Sequence, residues 1–335
     1  MVTLKTELPK IAIIIPFYQK ETGLLQKCID SIRNQKRVEN YEVIVVDDGS
    51  PIAAKTELHN MVDGSDKITV IEQDNAGPGA ARNRGLDNVP EGTRYVAFID
   101  SDDWWTDEFL DTALAGLEQG FDLFFANTQR FGYDRSRFQW KSAIELGLNP
   151  ANNKGLDTSR HIYQFTGDFF NYMLQRSNIV STSTLIYRYE KFPDLRFSTK
   201  LFNGQDRLFK LSLCGLTDKV AFSTEIHPYE GEGVNIFDSA KWGTPKSLTL
   251  IANYIKLSKC ILAELQLDKD QKKIVYQQLN ESRYAFTASL LHLVKNRGKV
   301  DWGLILRTCK TDPGTAIKFL PNVFIALASR YKKSD

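Results

Sequence analysis

Residues 96–103 read Val96-Ala97-Phe98-Ile99-Asp100-Ser101-Asp102-Asp103, an apolar run that ends in three carboxylates within four residues. The arrangement has an earlier counterpart, where Val43-Ile44-Val45-Val46 runs into Asp47-Asp48-Gly49-Ser50. Consecutive apolar positions, here and at residues 11–15, are what a strand buried on both faces requires. Ligands of open parallel sheets bind outside the carboxyl ends of the strands, so these two strand ends are the first candidates for a site.

Outward from these ends, the strand-like runs are residues 11–16, 41–47, 68–73, 95–100, 121–127, 184–188 and 220–223. Between them, Leu24, Leu25, Cys28, Ile29 and Ile32 recur at the spacing of one helical face, as do Phe109, Leu110, Ala113, Leu114 and Leu117. Strand and helix in regular succession predict an α/β fold with a mainly parallel sheet covered by helices. After Ser223 the pattern changes. Residues 227–244 are rich in Gly and polar side chains and read as a long loop. Beyond it, Leu248, Ile251, Ala252, Ile255, Leu262 and Leu265 form one helical stripe, and Val275, Leu279, Phe286, Leu290 and Leu293 another. Asp268 is the expected N-cap of the second helix, and Asp312 before Pro313 starts a last one. The boundary to this all-helical region falls near residues 225–245.

The 335 residues, 42% hydrophobic and 25% charged, are ordinary for a globular chain and exclude both disorder and a disulfide-stapled miniature. Cys28, Cys214, Cys260 and Cys309 lack the paired short spacings of zinc or redox motifs and read as reduced thiols in a cytosolic compartment. No signal peptide is recognisable at the start, and no stretch of ~20 apolar residues occurs. Residues 1–225 carry 26 Lys+Arg against 31 Asp+Glu, whereas residues 226–335 carry 17 against 10. The basic back half reads either as solvated helix faces or as attraction to an anionic lipid surface. An acidic front half, with no basic stripe of interleaved aromatics, gives nucleic-acid binding no support.

Three carboxylates in four residues repel one another unless a cation or hydrogen-bond donors neutralise them. Mn²⁺ or Mg²⁺ suits such oxygen ligands and typically shares them with substrate phosphates. A lone Asp here would read as a helix cap; capping needs one carboxylate and not three. Between the two strand ends lies Asn75-Ala76-Gly77-Pro78-Gly79-Ala80-Ala81-Arg82-Asn83-Arg84-Gly85, where backbone can approach a ligand and Arg82 or Arg84 can face an anion. A plain turn and helix start explains that segment equally well. Neither a dinucleotide fingerprint nor a Walker loop is present.

Taken in order, Ile13-Ile14-Ile15-Pro16-Phe17-Tyr18 with Glu21, Val46-Asp47-Asp48-Gly49-Ser50, Asn75 to Gly85, and Phe98-Ile99-Asp100-Ser101-Asp102-Asp103 closely resemble the motifs of family 2 glycosyltransferases. The resemblance spans about residues 10–230. It implies the glycosyltransferase-A fold, with a catalytic domain at 1–230 (nucleotide-sugar half 1–117, acceptor half 118–230) and a Gly-rich loop and helical region at 231–335. It implies a metal-dependent, inverting transfer of one sugar from a nucleotide donor, expected to be a UDP-sugar, to a hydroxyl of a glycan or lipid-linked saccharide. Pro16, Tyr18, Glu21 and Asp48 match positions lining the nucleoside pocket, with Gly77 and Arg82 nearby. Asp100-Ser101-Asp102 matches the Asp-x-Asp motif: Asp100 for ribose or metal, Asp102 for the metal that bridges the diphosphate. Asp103 is read as orienting its neighbours.

Inverting transfer needs a base for the acceptor hydroxyl. Gly204-Gln205-Asp206-Arg207-Leu208-Phe209 resembles the family's Gly-Glu-Asp segment, which puts Asp206 in the base position and Gln205 where Glu is usual. Capping of the following helix is the plainer role for Asp206. Some family members place a metal-binding histidine near the position of His227; a packing histidine is the equal alternative. Trp104 and Trp105 read as a sugar platform or as a buried anchor, and Phe131, Tyr133, Phe138 and Trp140 fall where an acceptor is expected. The last segment mixes Phe319, Leu320, Val323, Phe324 and Leu327 with Lys318, Arg330, Lys332 and Lys333. It suits a peripheral contact with the cytoplasmic face of the inner membrane, or packing on its own domain. A sugar nucleotidyltransferase and a catalytically silent nucleotide-sugar-binding protein are the competing functions.

Overall fold

The computed structural model describes residues 10–59, 67–141, 147–231, 233 and 240–331. The middle of the expected loop, 234–239, and the tail lysines Lys332 and Lys333 lie outside them. Two compact units result: Met1–Phe197 with Phe209–Val234, and Ser198–Leu208 with Asn235–Asp335. The segment carrying Gln205 and Asp206 thus groups with the helical region, although it precedes the last strand of the sheet.

In the first unit, β1 (Lys10–Phe17), β2 (Tyr41–Asp48), β3 (Ile68–Gln73) and β4 (Thr93–Phe98) form a parallel block in the order β3-β2-β1-β4. Strand β1 lies inside it, with Ile13 facing Val43 on one side and Ala97 on the other. Its apolar run is buried throughout, as a strand covered on both faces demands. Helices α1 (Leu24–Arg33), α2 (Ala54–Glu57), α3 (Pro78–Leu86) and α4 (Phe109–Leu117) follow the strands. Helix α3 comes so close to β1 that a Cβ on Gly85 would stand 2.5 Å from Ile14. A glycine there is therefore a packing requirement.

Beyond β4 the sheet becomes mixed. The short β9 (Ile186–Arg188) enters antiparallel between β4 and β6 (Leu123–Arg130), and β6 pairs in parallel with β10 (Val220–Glu230). Strands β7 (Lys154–Asp157) and β8 (Ile162–Gln164) extend the sheet past β10, and β5 (Trp104–Trp105) pairs antiparallel with β10's far end. Stacked rings fill this half: Phe125 lies on Phe222 and on Phe169 of α5 (Phe169–Arg176). Phe138, expected near an acceptor, is buried against Phe125 and Phe222 because its 3₁₀ turn points into this core.

Strand β10 also corrects the expected loop. Pairing with β6 and β5 carries it to Glu230, seven residues past the predicted end, so His227 sits inside a strand.

Helix α6 (Gln205–Cys214) begins in the second unit and ends in the first. The second unit is otherwise helical: α7 (Pro245–Glu264), α8 (Lys269–Lys295), α9 (Trp302–Thr311), α10 (Pro313–Ile317) and α11 (Phe319–Tyr331). Both predicted stripes meet, with Leu248, Ile251 and Ile255 packed against Leu279, Phe286 and Leu290. Asp268 caps α8 by accepting from the Gln271 amide at 2.8 Å, while Gln271 returns a bond to the Asp268 backbone. Asp312 is buried, and the Arg283 guanidinium grips both its oxygens at 2.7 and 2.6 Å. Burial alone would raise that carboxyl; the Arg283 bonds outweigh it and hold it below the usual range. Among the described residues no helix is long and apolar enough to cross a membrane.

Candidate active site

The parallel block ends in three loops that the sheet's register brings together. Asp47 turns the chain after β2 by accepting from the amides of Ser50 and Ala54, both at 2.8 Å. The Ser50 hydroxyl then bonds both ways with the Gln19 backbone, and the Gln19 side chain donates to Ser101 at 3.0 Å. Gln19 is buried and ties the loop after β1 to the acidic loop after β4. Sequence reasoning passed over it because it carries no charge and no motif weight.

Asp48 points the other way. Its carboxylate accepts from Gln73 at 2.7 Å and from the amides of Ala76 and Gly77 at 2.9 and 2.8 Å. Gly77 has φ +89, a conformation that glycine adopts without strain, and it leads directly into α3. Asp48 thereby fixes the glycine-rich segment. Pro16 and Tyr18 are partly exposed at the end of β1, and Glu21 is exposed beyond them.

The fixed helix α3 delivers Arg82. This side chain is buried and donates to Asp100 at 2.5 Å; its Nε and Nη1 atoms have no hydrogen-bond partner among the described residues. Its guanidinium carbon lies 5.3 Å from the Phe197 ring centre. A buried guanidinium with two unbonded nitrogens is costly to hold, and its fork of donors beside a half-exposed carboxylate has the chemistry to meet an anion.

Asp100, Ser101, Asp102 and Asp103 follow β4. Asp103 is buried, accepts from Ser183 and, at 2.9 Å, from the Gly231 amide. Burial first, then the charges of Asp102 and Asp100, push its carboxyl well above the usual range. Asp102 accepts from the Gly233 amide at 2.9 Å, and burial together with the Asp100 charge pushes it up to about 6. The cluster therefore holds more negative charge than its donors neutralise. Ser183 completes the frame: its hydroxyl also accepts from the Asp100 amide at 3.0 Å, and its carbonyl takes the Trp105 indole at 2.7 Å. Eighty residues separate Ser183 from Asp103, and nothing in the sequence marked the link.

Trp105 is a buried anchor, whereas Trp104 stacks on Tyr229 at 5.6 Å and has the Lys27 ammonium over its ring. Phe131 and Tyr133 are both 54% exposed, outside the core that takes Phe138. His227 is buried: Nδ1 lies 2.7 Å from the Thr106 hydroxyl, the ring packs on Phe109, and Nε2 has no hydrogen-bond partner among the described residues. Burial brings its imidazole down to about 4, so it is neutral at pH 7. No group of three or more His, Cys, Asp and Glu side chains that could hold a metal is found among the described residues.

In the second unit, Gly204 has φ +84 and precedes Gln205 at the start of α6, so Asp206 stands in the first turn rather than at the cap. Gln205 is buried and its Oε1 is unpartnered among the described residues. Burial lowers the neighbouring Arg207 guanidinium, against the opposing charge of Asp206.

The chain matches the family described as "Glycosyl transferase family 2" over residues 12–188, more than half its length, and belongs to that family. The matched segment holds every donor-side motif; Asp206 and His227 lie beyond it. The succinoglycan biosynthesis protein ExoW of Rhizobium meliloti (strain 1021) is 32% identical over 71% of this chain and 74% of its own. A Campylobacter jejuni protein named GalNAc(5)-diNAcBac-PP-undecaprenol beta-1,3-glucosyltransferase is 25% identical over 86% of this chain and 85% of its own. Among solved structures, S. aureus TarS 1–349 in complex with UDP superimposes with a TM-score of 0.59 at 17% identity, covering 97% of this chain and 92% of that one. The fold is thus of the glycosyltransferase-A kind: a mixed sheet flanked by helices, followed by a helical region.

Proposed function

We propose that the protein transfers one sugar, with inversion, from a UDP-sugar to a hydroxyl of a glycan carried on a lipid, working peripherally on the cytoplasmic face of a membrane. The observation that carries this reading is the under-neutralised Asp100–Asp103 cluster facing the half-satisfied Arg82 at the end of β4. The carboxylates fit Mn²⁺ or Mg²⁺: Asp102 and Asp100 are oxygen donors whose mutual repulsion a cation would relieve. Asp102 and Asp100 would hold such an ion together with substrate phosphates, as is usual for Mg²⁺. Such an ion, when bound, would stabilise the departing nucleoside diphosphate.

The chain's own residues supply the rest. Arg82 offers its idle nitrogens to the phosphates, and the Asp48-braced turn around Gly77 lets backbone approach the nucleotide. Asp206 serves as the base that takes the acceptor's proton. His227, neutral and with Nε2 unpartnered, keeps the chemistry of a ligand while its ring is held by Thr106 and Phe109. The ExoW and undecaprenol-linked glucosyltransferase names support a polysaccharide or lipid-linked acceptor.

The test is a screen of nucleotide sugars by thermal shift and donor hydrolysis, with and without Mn²⁺, because a ligand that binds the native state raises Tm. A UDP-sugar should stabilise the protein only with the metal. No response to any nucleotide would end the proposal; binding without transfer to any acceptor would point to a silent binding protein.

A further inference from the structure

The second unit has a groove of about 1160 Å³ between α8 and α11. Its lining includes Lys269, Lys272, Lys273, Lys318, Asn322 and Ile325, with Asp270 and Glu281 as its acids among the described residues. Arg283 also lines it, already paired with Asp312. Asn322 is only 7% exposed, and its side-chain nitrogen has no hydrogen-bond partner among the described residues. Four lysines and a buried idle donor in one groove ask for an acceptor with negative charge.

The adjoining surface is apolar. Ile317, Leu320 and Phe324 follow at helical spacing and are 75%, 66% and 71% exposed, and Ile325 at the groove's edge is 56% exposed. Exposed apolar side chains beside lysines, in a region carrying 17 Lys+Arg against 10 Asp+Glu, are the make-up of a helix lying in a membrane interface. We infer that the groove between α8 and α11 is a phosphate site for the headgroup of an anionic membrane lipid, with Leu320 and Phe324 entering the boundary beneath the headgroups. The inference rests on the peripheral-membrane reading above and adds the part of the lipid that is recognised. It uses none of the donor-site residues.

The full chain is sedimented with vesicles of phosphatidylglycerol mixed into phosphatidylcholine, and with phosphatidylcholine alone. Binding should need the anionic lipid. Lys318→Gln should weaken it about fivefold, the effect of one lysine at such a surface, whereas Lys295→Gln, a lysine outside the groove, should change it less than twofold. Asn322→Ala should weaken it as well, and Phe324→Asp, at an exposed position, about tenfold or more. Equal losses for Lys318→Gln and Lys295→Gln, or equal binding to both vesicles, would overturn the site. So would a Tm rise with soluble pyrophosphate that Asn322→Ala removes, if vesicles are not bound. UDP-sugar hydrolysis is followed in the same variants: unchanged hydrolysis with lost sedimentation separates the membrane site from the donor site, and failure of hydrolysis in the wild type would count against the donor reading alone.

Discussion

The backbone amide of Gly233 donates to a carboxylate oxygen of Asp102 at 2.9 Å, and a Cβ on Gly233 would stand 2.5 Å from that same oxygen. Gly231 is tighter still: its Cβ would meet the Asp102 carbonyl oxygen at 1.9 Å. Two glycines beyond β10 are therefore fitted onto the acidic loop, and their amides partly neutralise Asp103 and Asp102. Backbone, unlike a side-chain tip, cannot move aside cheaply. Gly231→Ala should lower stability by about 1–3 kcal/mol and weaken metal-dependent UDP binding, measured by thermal shift with and without UDP and Mn²⁺. Wild-type behaviour in both would mean that the contact positions nothing.

The same cluster predicts a pH dependence. Asp102 is raised to about 6 by burial and by the Asp100 charge, from the usual 3.8. A carboxyl whose folded value lies above its unfolded value adds stability while protonated, and that contribution is lost as pH rises through the folded value. The difference is worth about 3 kcal/mol at most, lost between roughly pH 4 and pH 7. Without metal, Tm should fall across pH 5–7; with Mn²⁺ the fall should shrink, because the cation favours the ionised form. Asp102→Asn should make the fall shallower, leaving the part due to the raised Asp103, and abolish metal-dependent donor binding. A metal-free profile that is already flat would show that the cluster is not under this strain.

Arg82 joins the glycine-rich segment to the acidic one. Its side chain is 5% exposed while the Asp100 side chain is 40% exposed, so solvent screens one partner and the pair itself is worth only about 1 kcal/mol. If Arg82 meets the donor phosphates as proposed, the larger effect should fall on the donor, since removal takes away its guanidinium charge. Arg82→Met should weaken UDP binding about tenfold or more, and Arg82→Lys should recover part of it, as a point charge without the fork. Isothermal titration with UDP and Mn²⁺ measures both. Equal affinity for Arg82→Met and wild type would leave this arginine a purely structural role.

The meeting of the acidic strand ends was legible in the sequence because its parts are local. Apolar runs ending in Asp47-Asp48 and Asp100 to Asp103 mark strand ends, and the parallel register of β1, β2 and β4 brings those ends together. What stayed hidden depends on long-range pairing. Ser183 bonds Asp103, and Gln19 bonds Ser101, across 80 and 82 residues. Likewise, β10 continues to Glu230 only because β6 and β5 supply partners that local propensity does not reveal. The entry of β9 antiparallel, inside a sheet whose alternation suggested parallel strands, has the same origin. In the helical region, periodicity sufficed for the α7–α8 core, and the Asp268 capping box was readable from its three-residue spacing. The groove holding Asn322 was not, because it takes two helices to form.

The proposed role of Asp206 as base predicts a variant that separates binding from chemistry. This residue stands in the first turn of α6, after a Gly204 whose φ of +84 and whose closeness to Leu257, 2.7 Å from a Cβ there, fix where the helix begins. The preceding Gln205 is 6% exposed with an unpartnered Oε1; a carboxylate at that depth would stay protonated or need a cation, so an amide is the less costly occupant. In the proposed reaction Asp206 is then the acid of this segment assigned to the acceptor proton. Asp206→Asn keeps the shape and removes the base. It should bind UDP and Mn²⁺ within about twofold of wild type yet transfer ~10²–10⁴-fold more slowly, read as kcat in a transfer assay. Gln205→Glu should not restore that loss in the double variant, because its carboxyl is buried. Transfer by Asp206→Asn at the wild-type rate would take this residue out of the reaction and leave the family's base to be sought elsewhere.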